Sequence, residues 1–254
     1  MILALDIGNT NGVLGCIADG EILFTERMAT DSGKTELDYA ISLKMVLELR
    51  EIKVSEITGA IIGSVVPPVT SLMREAIRKV TGQEALVVNV DMNIGLEVLM
   101  DNPSSVGTDL IVGAVAGINR YPVPLILIDM GTATTICVVN ENKQYIGGMI
   151  LPGIGVSMNS LTSRTAQLPR ISLDPPKRLI GKNTVECMQS GALYGNASCI
   201  DGMVDRIEEE LGQKATVVAT GGLARKIIPL CRHQIELDDE LLLRGLWIIY
   251  KKNK

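Results

Sequence analysis

The chain has 254 residues, of which 46% are apolar and 21% charged, with 25 glycines and a formal net charge of −5. This is the profile of a globular protein with core enough for two domains, and its acidic balance argues against a general nucleic-acid or anionic-membrane surface. No apolar run approaches the roughly 20 residues needed to span a bilayer, and no basic stretch followed by a signal-type run opens the chain, so a cytoplasmic location is expected.

Met1 to Leu5 reads as a buried strand that ends in the small-residue turn Asp6-Ile7-Gly8-Asn9-Thr10-Asn11-Gly12-Val13. A second apolar strand, a polar turn at Ala18-Asp19-Gly20 and a third strand from Glu21 to Thr25 follow. Leu37 to Leu49 places apolar residues at helical spacing, and Gly59 to Val65 is a β-rich run ended by Pro67-Pro68. Val69 to Val80 reads as a helix, Ala85 to Val90 as a strand and Asp109 to Ile118 as an apolar helix. From Leu125 to Ile128 the opening pattern starts again. A strand leads into Asp129-Met130-Gly131-Thr132-Ala133-Thr134-Thr135, then come another strand, a polar turn at Asn140-Glu141-Asn142 and a strand from Gln144 to Ile150. A helix near Val156 to Arg164, a loop around Leu168 to Pro176, and a long helix from about Thr184 to Leu211 come next. A strand at Thr216 to Ala219, a short helix from Gly222 to Leu230 and a terminal helix from Glu240 to Tyr250 complete the chain.

The two aspartates at positions 6 and 129 lie 123 residues apart, close to half the chain and to a usual domain length. One such hairpin alone is an ordinary turn with an Asx hydrogen bond. Two copies at domain spacing point to internal duplication. The expected fold is therefore α/β, with related domains over 1–118 and 119–254, each a mixed sheet that begins with a three-strand meander and is flanked by helices. Glycine after the aspartate lets the backbone approach a ligand, and successive turn amides can donate to phosphate oxygens. A carboxylate beside a phosphate repels it, so the pairing implies a bridging cation.

Cys16, Cys137, Cys187, Cys199 and Cys231 are odd in number and widely spaced, without a CxxC pair, which reads as buried free thiols rather than disulfides or zinc. His233 is the only histidine, leaving little room for a Ser-His-Asp triad or a His-based metal site.

The duplicated Asp-x-Gly hairpins resemble the phosphate loops of the acetate and sugar kinase, chaperone ATPase and actin superfamily. More narrowly, strings through nearly the whole chain resemble type III pantothenate kinase. They are Asp6-Ile7-Gly8-Asn9-Thr10-Asn11, Ser64-Val65-Val66-Pro67-Pro68, Asp101-Asn102-Pro103 with Val106-Gly107-Thr108-Asp109, Asp129-Met130-Gly131-Thr132-Ala133-Thr134-Thr135, Gly147-Gly148 with Pro152-Gly153, Gly181-Lys182-Asn183-Thr184 with Met188-Gln189-Ser190-Gly191, and Ala219-Thr220-Gly221-Gly222-Leu223-Ala224. Each is weak alone; their joint order is specific.

The resemblance implies ATP-dependent phosphorylation of the primary hydroxyl of pantothenate, the entry step of coenzyme A synthesis, by two actin-like ATPase domains. Phosphoryl transfer asks the protein for positioning, charge neutralisation and a base for the attacking hydroxyl. Asp109, just after Gly107-Thr108 at the start of an apolar helix, matches the base. On its own an Asp there reads as a helix N-cap; the family match reverses that preference. Asp6, Ile7, Gly8, Asn9, Thr10, Asn11, Gly12 and Val13 match the ATP phosphate loop, with Asp6 holding Mg²⁺ through water. Asp129 matches the position of a monovalent cation, potassium or ammonium, and Thr132 an ATP contact. Without the family, Asp129 reads as a second magnesium ligand. Thr220-Gly221-Gly222 falls near the adenosine half of the nucleotide, or is a plain strand-to-helix turn. Thr184 matches a substrate contact in sites completed across a homodimer, although its place also suits a helix cap.

Substrate contacts are expected at Met100, Gly107, Thr108, Asp109, Leu110 and Thr184, but two of these depart from the family pattern. Met100 stands where tyrosine is usual before Asp-Asn-Pro, and Leu110 where arginine usually follows the catalytic Asp. Leucine offers no donor to the carboxylate of pantothenate, whereas arginine clamps it through a planar fork. Besides a working pantothenate kinase, the chain is thus compatible with a related kinase of altered small-alcohol specificity, or with a non-catalytic nucleotide-binding accessory factor of the kind proposed for transcription. Retention of Asp6, Asp109, Asp129 and Thr184 favours the enzymes.

Overall fold

The computed structural model describes residues 1–89 and 91–254. The first meander comprises β1 (Ile2–Ile7), β2 (Asn11–Ala18) and β3 (Glu21–Ala29). Between β2 and β3, Asp19 and Gly20 adopt φ of 50° and 92°, the paired left-handed geometry of a type I′ hairpin. β3 runs on to Ala29 rather than ending at Thr25, because its outward side chains face water and tolerate charge. Next come α1 (Glu36–Leu49), opened by a Thr35–Asp38 capping box, β4 (Gly59–Ser64) and α2 (Pro67–Thr81), closed by Gly82 in the left-handed conformation. The predicted strand 85–90 is observed as β5 (Ala85–Val87); Val90 lies outside the described residues. β6 (Glu97–Val98) is a two-residue strand that periodicity does not reveal, and α3 (Thr108–Arg120) follows it.

The second half repeats the plan with β7 (Leu125–Met130), β8 (Ala133–Val139), β9 (Gln144–Pro152), α4 (Ile154–Ser163) and α5 (Thr184–Leu211). β10 (Thr216–Thr220), α6 (Ala224–Ile227) with a 3-10 turn after it, β11 (Glu236–Leu237) and α7 (Leu241–Lys252) end the chain. Among the described residues no helix is long and apolar enough to cross a membrane.

Duplication is explicit in the topology. The first sheet has the order β3-β2-β1-β4-β5, and the second, read from β9, the order β9-β8-β7-β10-β11, with β6 added beside β9. In each, the opening strand is antiparallel to the second strand of its meander and parallel to β4 or β10. Asp6 sits opposite Val13 and Gly63, and Asp129 opposite Thr135 and Thr220. The two turns therefore differ by one residue, so the sequence echo slips by one position beyond the turn.

The chain forms two compact units, Met1–Glu97 with Asp101–Asn119 and Glu240–Lys254, and Val98–Met100 with Arg120–Asp239. The terminal residues, however, belong with the first unit rather than with 119–254. The cause is α7, whose buried Leu243, Leu246, Ile249 and Tyr250 pack on β1 and β4.

Alternation along the opening strands decides where the aspartates point. In the first unit Leu3, Leu5 and Ile7 enter a core with α1 and α2, which leaves Asp6 on the opposite face. In the second, Ile126, Ile128 and Met130 join α5 in the core and Asp129 likewise faces away from it. All five cysteines are free. Cys16 and Cys137 are buried as expected and burial pushes the Cys231 thiol up to about 12, whereas Cys187 is exposed, contrary to the expectation of buried thiols.

Candidate active site

In the first unit the β1–β2 loop is closed by the Gly8 amide donating to Asn11 O at 3.1 Å. Thr30, the residue after β3, braces it: its amide donates to Thr10 O at 3.0 Å and its hydroxyl to Gly8 O at 2.7 Å. Those bonds turn two loop carbonyls inward and leave Asn9, Thr10 and Asn11 at the surface. Ile7 and Gly12 are buried, with the Ile7 side chain in the core and its carbonyl accepting from Val65 N, so neither presents a side chain to a ligand. Val13 and Gly8 are half-buried.

The first turn of α3 lies over the same end of the sheet. Gly63 is directly opposite Asp6 in a parallel pair, so both residues project to one face. A Cβ built on Gly63 would lie 3.0 Å from Leu246 Cδ2, 3.6 Å from Val112 Cγ2 and 3.7 Å from Thr108 Cγ2. These distances set side chains of α3 and α7 on the Asp6 face, with the Leu246 methyl as the one tight approach. The first turn of α3, which carries Asp109, is thus packed over the face from which Asp6 projects. It is not the N-cap: Gly107 precedes the helix and its carbonyl accepts from Ile111 N at 3.2 Å, while Asp109 Oδ1 accepts the Leu110 amide at 2.9 Å. Thr108, Asp109 and Leu110 are half-buried.

The second unit repeats this construction. Gly131 N donates to Ala133 O at 2.9 Å, and Gly153, the residue after β9, donates to Thr132 O at 3.1 Å, as Thr30 does for Thr10. Thr132 is exposed and Asp129 half-buried. A Cβ on Gly221 would come within 2.5 Å of Asp129 Oδ1, and Gly221 has φ 95°. The carboxylate thus nestles against the Thr220-Gly221-Gly222 turn in a recess that only glycine leaves open.

Met100, half-buried, has its Sδ 3.9 Å from a Cβ built on Gly147, and so belongs beside β9 in the second unit. Thr184 is the first residue of α5 and exposed; the cap is Asn183, whose Oδ1 accepts Glu186 N at 2.9 Å. The two residues can be separated by experiment. Asn183→Ala is expected to cost about 0.5–2 kcal/mol in chemical denaturation, whereas Thr184→Ala should stay within about 0.5 kcal/mol. Loop 6–13, Gly107, Thr108, Asp109 and Leu110 lie in the first unit, and Met100, Asp129, Thr132 and Thr184 in the second. Sequence reasoning missed Thr30 and Ser64. Ser64 Oγ accepts from Val66 N at 3.1 Å and from the Thr70 hydroxyl at 2.7 Å, fixing the chain where β4 turns into α2. Its only signal was its place ahead of Val65-Val66-Pro67-Pro68, and that of Thr30 its place at the end of a meander.

Both carboxylates sit at strand ends beside loops that offer oxygen donors and no imidazole or thiolate, the donor chemistry of hard cations.

The model of the type III pantothenate kinase family matches residues 2–206. A type III pantothenate kinase from Bacillus cytotoxicus is 45% identical over 253 residues, covering 100% of this chain and 97% of the relative. Among solved structures, a conserved Baf family protein from Campylobacter jejuni aligns with a TM-score of 0.58 at 19% identity, over 99% of this chain and 98% of that one. The activator of the 2-hydroxyisocaproyl-CoA dehydratase from Clostridium difficile, with bound ADPNP, gives 0.56 at 14% identity, over 98% and 93%. These likenesses, together with the five-strand order that the two sheets share, show an actin-like α/β fold. By family match and by full-length identity, the chain belongs to the type III pantothenate kinases.

Proposed function

We propose that the protein transfers the γ-phosphoryl group of ATP to the primary hydroxyl of pantothenate, giving 4′-phosphopantothenate in the first step of coenzyme A biosynthesis, with Asp109 as general base. What supports Asp109 as the base is the shared face: Asp6 projects from one side of the first sheet, and α3, whose first turn carries Asp109, packs over that side. Asp109 accepts the hydroxyl proton as the oxygen bonds to phosphorus, and ADP departs. The exposed loop at Asn9, Thr10 and Asn11 receives the phosphates, and the carbonyls held by Thr30 keep it from collapsing.

The divalent ion required with ATP is Mg²⁺, held by Asp6 through water, and it supplies neutralisation of the phosphate charge when bound. Asp129 holds a monovalent cation, potassium or ammonium, and Thr132 contacts ATP in the same unit. The turn at Thr220 lies towards the adenosine half. The reaction belongs to the cytoplasm, without nucleic-acid or membrane partners. Purified protein with ATP, Mg²⁺, potassium and pantothenate is expected to form phosphopantothenate. ATP binding without product would favour the accessory role, and turnover of another alcohol the related kinase; identity of 45% along the whole chain supports pantothenate.

A homodimer completes the site. The second unit exposes Ile150 at 75%, Leu179 at 60% and Ile180 at 80%, with Val156, Leu161 and Val185 also exposed; Leu179, Ile180 and Val185 flank Thr184 in sequence. Exposed apolar side chains beside a substrate contact are what a subunit interface covers. Sedimentation should find a dimer at assay concentrations, and mixing Asp109→Asn with Thr184→Ala subunits should restore part of the activity. An active monomer, or no rescue, would refute the shared site.

Leu110 and Met100 set the affinity for the acyl substrate and leave ATP chemistry untouched. Leu110 is half-buried on the turn that carries Asp109. A charge-assisted hydrogen bond is worth about 1.5–3 kcal/mol, or roughly 10- to 150-fold in affinity. Leu110→Arg should therefore lower the KM for pantothenate by up to that factor and change the KM for ATP much less. An unchanged KM for pantothenate would mean that another cation serves the carboxylate or that the true substrate has none. Carboxylate-free analogues tested on the unaltered protein distinguish those cases.

A further inference from the structure

Asp205 and Glu208 stand at i and i+3 on α5, hence on one face of the helix. The segment after the 3-10 turn brings the single histidine to that face, with His233 Nε2 2.8 Å from Asp205 Oδ1. One donor atom from each of Asp205, Glu208 and His233 lies within 4.8 Å of the others, the one such group found among the described residues. Glu208 and the loop that carries His233 are held from behind. Asp201 accepts the amides of Arg232 at 3.0 and 2.9 Å and of His233 at 3.1 Å, clamping the loop that carries the imidazole onto α5. Glu208, only 8% exposed, accepts the Ala215 amide on Oε1 at 3.1 Å and turns Oε2 to the Lys214 ammonium at 2.6 Å. Lys214 is 82% exposed and can move into water without disturbing the bond to Ala215. Cys231 takes no part: its thiol faces Ala197 O and Ile227 O.

We infer that Asp205, Glu208 and His233 form a second, non-catalytic site for a divalent transition ion of the zinc class. One imidazole nitrogen and two carboxylate oxygens are a competent zinc donor set, and three protein ligands leave a fourth position for water. A tetrahedral ion with bonds of about 2.0–2.1 Å holds its donors roughly 3.3 Å apart. The His233–Asp205 pair needs to open slightly, and Glu208 Oε2 needs to exchange Lys214 for the ion. Outer partners that fix ligand orientation, here Asp201 and the Ala215 amide, are the supporting shell such sites use. Counting histidines in the sequence argued against this, because it could not reveal that α5 supplies two carboxylates to the one imidazole.

In the absence of metal the same side chains form an ordinary ion-pair cluster, and the experiment separates the two. Full-length protein carrying Cys187→Ser, to silence the exposed thiol, is stripped with chelator and titrated with Zn²⁺ by equilibrium dialysis and with Co²⁺ by visible absorption. One equivalent should bind saturably, with the Co²⁺ spectrum of a four-coordinate nitrogen and oxygen site and no thiolate charge-transfer band, and the melting temperature should rise with Zn²⁺. His233→Ala and Glu208→Gln should abolish saturable binding, and Asp201→Asn should weaken it by about 10- to 100-fold. Lys214→Ala, which removes the competing cation, should tighten it. Asp205→Asn keeps the test valid if the buried Glu208 variant fails to fold, since Asp205 is 60% exposed. Absence of saturable binding at submillimolar Zn²⁺, or binding unchanged in the His233 and Asp205 variants, would overturn the site.

Discussion

Asp109→Asn is expected to lower turnover by about 10²- to 10⁴-fold while ATP binding and thermal stability stay close to wild type. Asparagine is the informative replacement because of what Asp109 does structurally. Its Oδ1 accepts the Leu110 amide at 2.9 Å, and an amide oxygen can accept that bond equally well, so the first turn of α3 is preserved. What disappears is the capacity to take a proton from the attacking hydroxyl. Asp109→Ala removes both and should add a stability loss. The comparison is made by phosphopantothenate formation under saturating substrates, by calorimetric ATP binding and by thermal melting. Near-wild-type turnover in the asparagine variant would confine Asp109 to holding the helix start.

The parts of this site that were legible in the sequence are those with local chemistry. α5 covers Thr184–Leu211, the span its periodicity gives, although its cap is Asn183 and not Thr184; Gly212, at φ 68°, closes the other end in the left-handed conformation. The two Asp-x-Gly hairpins were visible because each follows a buried strand and precedes another. Long-range packing was not. Nothing in the periodicity of α7 states which sheet its apolar face covers, and it is the contact with β1 and β4 that gathers the terminal residues into the first unit. The bracing by Thr30 joins residues that a meander separates, and β6 and β11 are too short for a period of two to register. Asp109 was placed at the helix start correctly, but its bond to Leu110 depends on side-chain geometry that spacing does not carry.

The Asp129 recess makes the second large prediction. Asp129 occupies in β7 the place that Asp6 occupies in β1, yet its surroundings differ: Thr220 is opposite it where Gly63 is opposite Asp6. The carboxylate also lies against Gly221, where an added Cβ would stand 2.5 Å from Oδ1. On the proposed assignment, activity should require potassium or ammonium and fall in a sodium-only buffer. Asp129→Ala should lose that dependence together with turnover, by about 10²- to 10³-fold, the scale of removing one electrostatic contact to the transferring group. Gly221→Ala supplies a second arm that keeps the carboxylate. Its methyl would crowd Oδ1 and force a side chain onto φ 95°, so cation activation should be blunted although Asp129 remains. Chelating Mg²⁺ should stop the reaction in every variant that retains turnover. Equal rates in sodium and potassium for the unaltered protein would remove the monovalent-cation role and return Asp129 to the reading its sequence first suggested, a second magnesium carboxylate.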